Sequence, residues 1–136
     1  MAALAPLPTG RGTVPASLRQ LSADLVAACV TMDHQANAMS RAIARIIASR
    51  LPARKKGTGT KDSVIVEHAI ELTCQLHAGG LTRPCLFVSS NTSDFAAHSS
   101  TNVHQELAAD FSAVRLDYAN GLEYAERLLS SARWAA

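Results

Sequence analysis

Small polar side chains follow a short apolar run in the sequence CLFVSSNTSDF, which spans Cys85 to Phe95. The apolar residues predict a buried strand, and Asp94 is the carboxylate of the polar run. Small oxygen-bearing side chains leave room for a ligand, to which Asp94 can present its carboxylate. Ser, Asn and Asp also form ordinary turns, because their side chains hydrogen-bond nearby backbone groups. The run therefore has two interpretations, a ligand site or a plain turn.

A basic segment, RLPARKKGTGTK, provides a second candidate for chemistry. Its cations include Arg54, Lys55, Lys56 and Lys61, and it also contains Pro52, Gly57 and Gly59. A flexible loop of this charge can meet phosphate groups. The same composition also suits a solvated connector between two helices.

Other common sites find little support in the sequence. Cys29, Cys74 and Cys85 lie in apolar contexts without CxxC spacing, which predicts reduced thiols in the core. The histidines show no ligand spacing with a cysteine or an acid, so we do not expect zinc. GTGTKDS lacks the Gly-Lys-Ser/Thr ending of a phosphate-binding loop. Aromatic residues make up only 4% of the chain, which offers little stacking for bases.

Composition predicts a soluble protein with a modest core. The chain has 136 residues, of which 48% are apolar, and a formal net charge of +2. No apolar run approaches the roughly 20 residues that a membrane span requires, and prolines interrupt the N-terminal segment where a signal peptide would be apolar. We therefore expect a cytoplasmic protein with a flexible leader at residues 1–16 and a single domain at residues 17–136.

The elements that must position these residues alternate along the chain. Helical spacing predicts one or two helices over 17–50, with an interruption at 31–34, and a second strong helix that ends at Gly79–Gly80. Asp62 or Ser63 is the predicted cap of this second helix. Its predicted buried stripe consists of Val64, Ile65, Ala69, Leu72 and Leu76.

The second half of the chain predicts strands and further helices. Strands are expected at 84–89 and 113–116, and helices at 102–111 and 121–133, the first opened by a capping box of Asn102 and Gln105. This alternation predicts a three-layer α/β/α fold with a short parallel sheet. Ligands of such folds bind beyond the carboxyl ends of the strands, where the SSNTSD run lies.

The run VSSNTSDF resembles the motif that follows a major core strand in PIN-domain nucleases. In that family a small hydroxyl residue, an Asn or Asp and then an Asp-Phe pair come after an apolar strand. The helix sequence KDSVIVEHAIEL is similar to the family's preceding helix, which opens with an acidic residue. The resemblance covers roughly Lys61 to Phe95 and corresponds to the C-terminal part of the family.

The resemblance implies a metal-dependent endoribonuclease that uses Mg²⁺ or Mn²⁺. Asp62 and Asp94 would hold the metal, Asn91 would take the place of a further acid, and Ser89 would support the site. Glu67 is a further candidate for support, since Glu67 and Glu71 share a helix face. RNA would be held at the rim of the site by the basic side chains Arg54, Lys55, Lys56 and Lys61.

Residues 1–60 depart from the family pattern. No aliphatic strand ending in Asp occurs there, since Asp24 and Asp33 are the only carboxylates before Asp62 and neither follows such a strand. The fold would then lack its first strand. The chain is accordingly a truncated PIN domain, a degenerate one that binds RNA or protein without cutting, or another α/β protein with a chance match.

A non-enzymatic module is the competing class. The alanine-rich stripe from Leu21 to Ile47 carries Met32 and Met39 and would suit an interface with an antitoxin-like protein or with a second copy in a homodimer. Packing within one subunit explains the same stripe. A nuclease requires Asp62 and Asp94 to converge, whereas an interaction module does not.

Overall fold

The computed structural model describes residues 14–29, 33, 35–53, 59–97 and 100–131. The chain divides into two compact units, Met1–Asp33 and His34–Ala136.

Among the described residues of the first unit there is one helix, α1 (Val14–Ala28). Its large apolar side chains Leu18, Leu21, Leu25 and Val26 are all exposed. The next helix begins only at Ala36, so two separate helices occupy the region for which one or two were predicted.

The second unit contains five helices and two strands within its described residues. They are α2 (Ala36–Ile47), α3 (Thr60–Ala78), β1 (Cys85–Val88), α4 (Thr92–Phe95), α5 (Gln105–Ala113), β2 (Leu116–Ala119) and α6 (Leu122–Leu129). No helix among the described residues is both long and apolar enough to cross a membrane.

The two strands form the parallel sheet that the sequence predicts. They pair in register from Cys85 opposite Leu116 to Val88 opposite Ala119. The second strand begins three residues later than expected, because α5 extends to Ala113 and Arg115 then turns the chain in the left-handed region, with φ of 58°. The prediction of a strand at 113–116 was therefore wrong in position, although the strand itself exists.

The main core lies on one face of the sheet. Phe87 and Tyr118 are partners in the register, and both belong to the cluster formed with α3, α4 and α5. Side chains alternate across a strand, so Leu86, Val88 and Ala119 point to the opposite face. Helix α6 packs against both strands, and its Ala125 is buried as Ala119 is. The unit is thus a small α/β fold with helices on both faces of its sheet.

The buried side of α3 differs from the predicted stripe. Ile65, Leu72 and Leu76 are exposed, whereas the buried side chains are Ser63, Val66, Glu67 and Thr73. The prediction was wrong for Ile65, Leu72 and Leu76, and it left out Val66, which is buried. Ala69 does pack against the core cluster. The position of Glu67 shows that a charged side chain takes the place of an aliphatic one where α2 packs on α3.

Several smaller predictions also need correction. Gly59 caps α3 in place of Asp62 or Ser63, and His104 caps α5 in place of Asn102, by accepting a hydrogen bond from the backbone N–H of Glu106. Cys29 and Cys74 are exposed free thiols, so the predicted location in the core was wrong for them. Only Cys85 packs against the core cluster.

Gly59 is the position at which the fold most needs a glycine. It has φ of +84°, and a Cβ built there would lie 2.3 Å from the carbonyl oxygen of Pro52. We expect Gly59→Ala to lower the free energy of unfolding by about 2–3 kcal/mol, because left-handed strain adds to a backbone clash. Urea denaturation of the purified chain measures this loss.

Gly80 provides the matched control. It also has positive φ, +100°, but a Cβ there meets nothing within 4 Å. Gly80→Ala should therefore cost about 1 kcal/mol through backbone strain alone. Equal losses in the two variants would show that the contact between Gly59 and Pro52 does not constrain the start of α3.

Candidate functional site

The candidate residues lie on three chain segments of the second unit, two of which end at the carboxyl edge of the sheet. The segment after β1 carries Asn91 and Asp94, and Asn120 follows β2, so both lie at the carboxyl edge of the parallel sheet. Asp62 lies in the first turn of α3. Val66, one turn later, packs in the same cluster as Phe95, the neighbour of Asp94. The start of α3 and the turn after β1 are thus both joined to one core cluster, and no contact between the Asp62 and Asp94 side chains is seen among the described residues.

The polar run after β1 forms a tightly hydrogen-bonded turn. The side-chain amide of Asn91 donates to the Asp94 carboxylate at 2.7 Å, and the Ser93 hydroxyl donates to Asn91 Oδ1 at 2.8 Å. The backbone N–H of Asn91 donates to the Ser89 hydroxyl at 3.2 Å. These bonds account for the polar residues as a turn, and they also fix the orientation of the Asp94 carboxylate.

The end of β1 is tied to β2 beneath this turn. The backbone N–H of Ser89 donates to the carbonyl of Ala119 at 3.0 Å, and the Tyr118 hydroxyl donates to the carbonyl of Ser89 at 3.3 Å. Burial raises the pKa of Tyr118, so its hydroxyl stays protonated and keeps this donor role. Ser89 thus supports the turn through both its backbone and its side chain.

The α3 end of the site offers one partly buried acid. Asp62 is in the first helical turn, where a carboxylate interacts favourably with the helix dipole. Ser63 beside it is fully buried, and its hydroxyl has no hydrogen-bond partner among the described residues. Lys61 is exposed at the same end. The other predicted RNA-binding residues, Arg54, Lys55 and Lys56, lie outside the described residues.

An open cleft of about 730 Å³ lies beside the turn at the carboxyl edge of the sheet. Thr92 and Ser93 line it from α4, and Asn120 lines it after β2. Leu51, three residues before Arg54, also borders the cleft. The remaining lining residues are small or polar, namely Ala96, Ala97, Ser100, Thr101 and His104. A polar ligand would meet hydroxyl, imidazole and amide groups here.

The described residues do not fit a metal ion on their own. Within these ranges no group of three or more His, Cys, Asp or Glu side chains is placed to hold one. Mg²⁺ requires oxygen ligands from several chain segments unless water replaces them. Asp62 and Asp94 therefore do not amount to a metal centre here, and the metal set implied by the PIN resemblance stays a prediction.

The Glu67 carboxylate accepts hydrogen bonds from two arginines of α2. Arg45 donates to Glu67 Oε1 from Nη2 at 2.5 Å, and Arg41 donates to Glu67 Oε2 at 2.9 Å. Arg45 also donates to Asp110 on α5 at 2.7 Å. This charge cluster links α2 to α3 and α5. Both arginines lie on α2, within the alanine-rich stripe. The sequence analysis considered only the apolar residues of this stripe and therefore did not predict the roles of Arg41 and Arg45.

The charges of this cluster reinforce one another. Burial alone would lower the pKa of Arg45, but its hydrogen bonds to Asp110 and Glu67 outweigh burial and raise it. The hydrogen bond to Glu71 is the main reason that the pKa of Arg41 is raised, and the reciprocal bond holds the pKa of Glu71 below its ordinary value. Arg45 and Arg41 thus remain charged at any ordinary pH.

Comparisons with known proteins do not extend the resemblance. No protein-family model matches the chain, and no curated protein or solved structure matches it either. The likeness to PIN domains rests on the residues from Lys61 to Phe95 alone.

Proposed function

We propose that the second unit is a PIN-like domain that binds RNA at the carboxyl edge of its sheet. In this proposal Asp62, Asn91 and Asp94 belong to an endoribonuclease site that is incomplete in this chain. The observation that carries the proposal is the position of the open cleft, between the turn after β1, Asn120 and Leu51. Parallel α/β folds bind their ligands at that edge.

The charge distribution favours a polyanion as the ligand. The chain has a net charge of +2, and its basic segment, 50–61, directly precedes Asp62. Leu51 places the beginning of that segment at the border of the cleft. Hydroxyl and amide groups in the cleft can contact sugar and phosphate oxygens, while lysine and arginine supply the attraction. RNA fits this combination because its 2′-hydroxyl groups add hydrogen-bond partners.

The acids of the proposed site do not provide enough ligands for hydrolysis by this chain alone. The pairing of Asp94 with Asn91 and the absence of a three-ligand group among the described residues both favour binding over cutting. We therefore expect cleavage by the isolated chain to be weak or absent. A second candidate function is a PIN-like module that binds nucleic acid without cleaving it.

Binding is tested with fluorescently labelled single-stranded RNA, by anisotropy across a series of KCl concentrations. Reversing Lys55 and Lys56 to glutamate should reduce the slope of log affinity against log salt by about 1.4, since each phosphate contact on a single strand contributes about 0.7. The control reverses Arg19 and Arg127, which are exposed in α1 and α6. The control should retain the wild-type slope.

Two results separate the candidate functions. Incubation of end-labelled RNA with Mn²⁺, beside Asp62→Asn and Asp94→Asn proteins, tests hydrolysis. Cleavage that both substitutions abolish would support the nuclease, whereas salt-dependent binding without cleavage would support the binding module. If the folded wild-type chain binds no RNA, or if both double reversals weaken binding equally, the proposal is wrong.

A further inference from the structure

The open cleft at the carboxyl edge of the sheet is lined by uncharged side chains. None of the described residues that border it is an aspartate, glutamate, lysine or arginine. Hydroxyl groups come from Thr92, Ser93, Ser100 and Thr101, and Asn120 supplies an amide. Phosphate groups draw most of their attraction from lysine and arginine, whereas hydroxyl and amide groups match the neutral hydrogen-bonding groups of a sugar. The cleft is therefore a better match for a ribose than for a phosphate.

His104 is held in place from two sides where it borders this cleft. Its backbone N–H donates to the carbonyl of Phe95 at 2.8 Å, and its Nδ1 accepts from the backbone N–H of Glu106 at 3.3 Å. The segment before it is closed by a backbone bond from the N–H of Ala97 to the carbonyl of Asn102 at 2.9 Å. The imidazole ring thus has a fixed position before any ligand binds, which lowers the entropy cost of binding.

The bond to Glu106 also determines which ring nitrogen of His104 carries hydrogen. An acceptor nitrogen has no hydrogen of its own, so in the neutral imidazole the hydrogen is on Nε2. Nε2 makes no hydrogen bond to another described residue. Because Nδ1 is turned toward the first turn of α5, the Nε2 side of the ring is left to face the cleft that His104 lines. The ring therefore offers the cleft one N–H donor of fixed orientation.

We propose that this donor selects RNA over DNA by bonding the 2′-hydroxyl oxygen of a ribose in the cleft. The inference rests on the proposed function, because it assigns one contact within the proposed RNA-binding site. The 2′-hydroxyl is the group by which a protein distinguishes RNA from DNA at a given position. His104 is then a specificity-determining residue, while the basic segment attracts phosphates whatever the sugar.

Two substitutions separate the roles of the two ring nitrogens of His104. His104→Asn keeps a side-chain oxygen that can cap α5, since asparagine is among the best N-cap residues, but its short side chain removes the donor at Nε2. His104→Gln does the reverse. Its amide nitrogen is as many bonds from the backbone as Nε2, whereas glutamine is not among the preferred N-cap residues.

Anisotropy titrations of the purified full chain compare labelled single-stranded RNA with DNA of the same sequence that contains deoxyuridine in place of thymidine. We expect the wild type to prefer RNA, and His104→Asn to reduce the ratio of RNA affinity to DNA affinity by about three- to tenfold, the equivalent of one neutral hydrogen bond. The affinity for DNA and the slope of log affinity against log salt should not change, because the proposed contact involves no phosphate. His104→Gln should retain the preference for RNA despite a lower melting temperature.

His77→Asn is the matched control, since His77 lines a different cleft, and it should leave the ratio unchanged. Long-range ¹H–¹⁵N NMR of the free chain is an independent test, in which the hydrogen of the neutral His104 ring should be on Nε2. The inference alone is wrong if His104→Asn keeps the wild-type ratio, if the hydrogen is on Nδ1, or if the wild type binds RNA and DNA equally. A folded wild type that binds no RNA would overturn the inference and the proposed function together.

Discussion

Replacing Arg45 with methionine is expected to lower the free energy of unfolding by about 3–5 kcal/mol. The Arg45 side chain is only 4% exposed and bonds both Glu67, which is 5% exposed, and Asp110. Methionine keeps much of the apolar volume of the arginine side chain but removes its charge. The buried Glu67 carboxylate would then keep only its bond to Arg41. Burying a carboxylate without compensation carries a large desolvation cost. Urea denaturation monitored by circular dichroism measures the loss.

Arg41→Met is the matched control for this prediction. Arg41 bonds Glu67 and Glu71, but its own side chain is 43% exposed, so water screens its charge. We expect a loss below about 1 kcal/mol. The double variant Arg45→Met with Glu67→Leu should recover part of the larger loss, because apolar pairs can replace buried ion pairs. Equal losses from Arg45→Met and Arg41→Met would contradict the assignment of Arg45 as the buried centre of the cluster.

The charge cluster also explains where sequence reasoning about the fold succeeded and failed. Local signals predicted the helix that Gly79–Gly80 ends and the strand around Cys85, because composition and turn residues determine those features. The choice of the buried side of α3 depends on which helices pack around it, and sequence periodicity alone does not contain that information. Glu67 is buried because Arg45 and Arg41 reach it from α2. The buried side of α3 therefore depends on ion pairs with α2, which the periodicity of the α3 sequence does not reveal.

The candidate site was likewise predicted only in part from the sequence. The sequence predicted that a polar turn follows the first strand, and the structure places Asn91, Ser93 and Asp94 in such a turn. The contribution of Leu51 and His104 to the cleft was not predictable, since neither belongs to a motif and both reach the site through the tertiary fold. The shift of β2 to Leu116–Ala119 likewise moved Asn120 to the carboxyl edge. Which residues lie at such an edge depends on where the strands end, and sequence patterns locate strand ends only approximately.

The aromatic residue that ends the opening motif has a separate role from the carboxylate beside it. Phe95 is 2% exposed, and its ring packs edge-on against Phe87 with centroids 5.2 Å apart. Phe95→Ala should lower the free energy of unfolding by about 3–5 kcal/mol, because it leaves a cavity in the core cluster and removes the aromatic contact. Thermal and urea denaturation of the purified chain measure this change.

Comparison with neighbouring substitutions distinguishes packing from chemistry. Phe95→Leu retains most of the buried apolar volume and should lose only about 1 kcal/mol. Asp94→Ala removes the acceptor of one partly exposed hydrogen bond and should also cost about 1 kcal/mol. If Asp94→Ala destabilises the chain as much as Phe95→Ala, the carboxylate holds the turn together and is not available to a ligand. A small loss at Asp94 with a large loss at Phe95 would mean that the core anchors the turn through Phe95, and that the Asp94 carboxylate with its bond to Asn91 contributes little to stability.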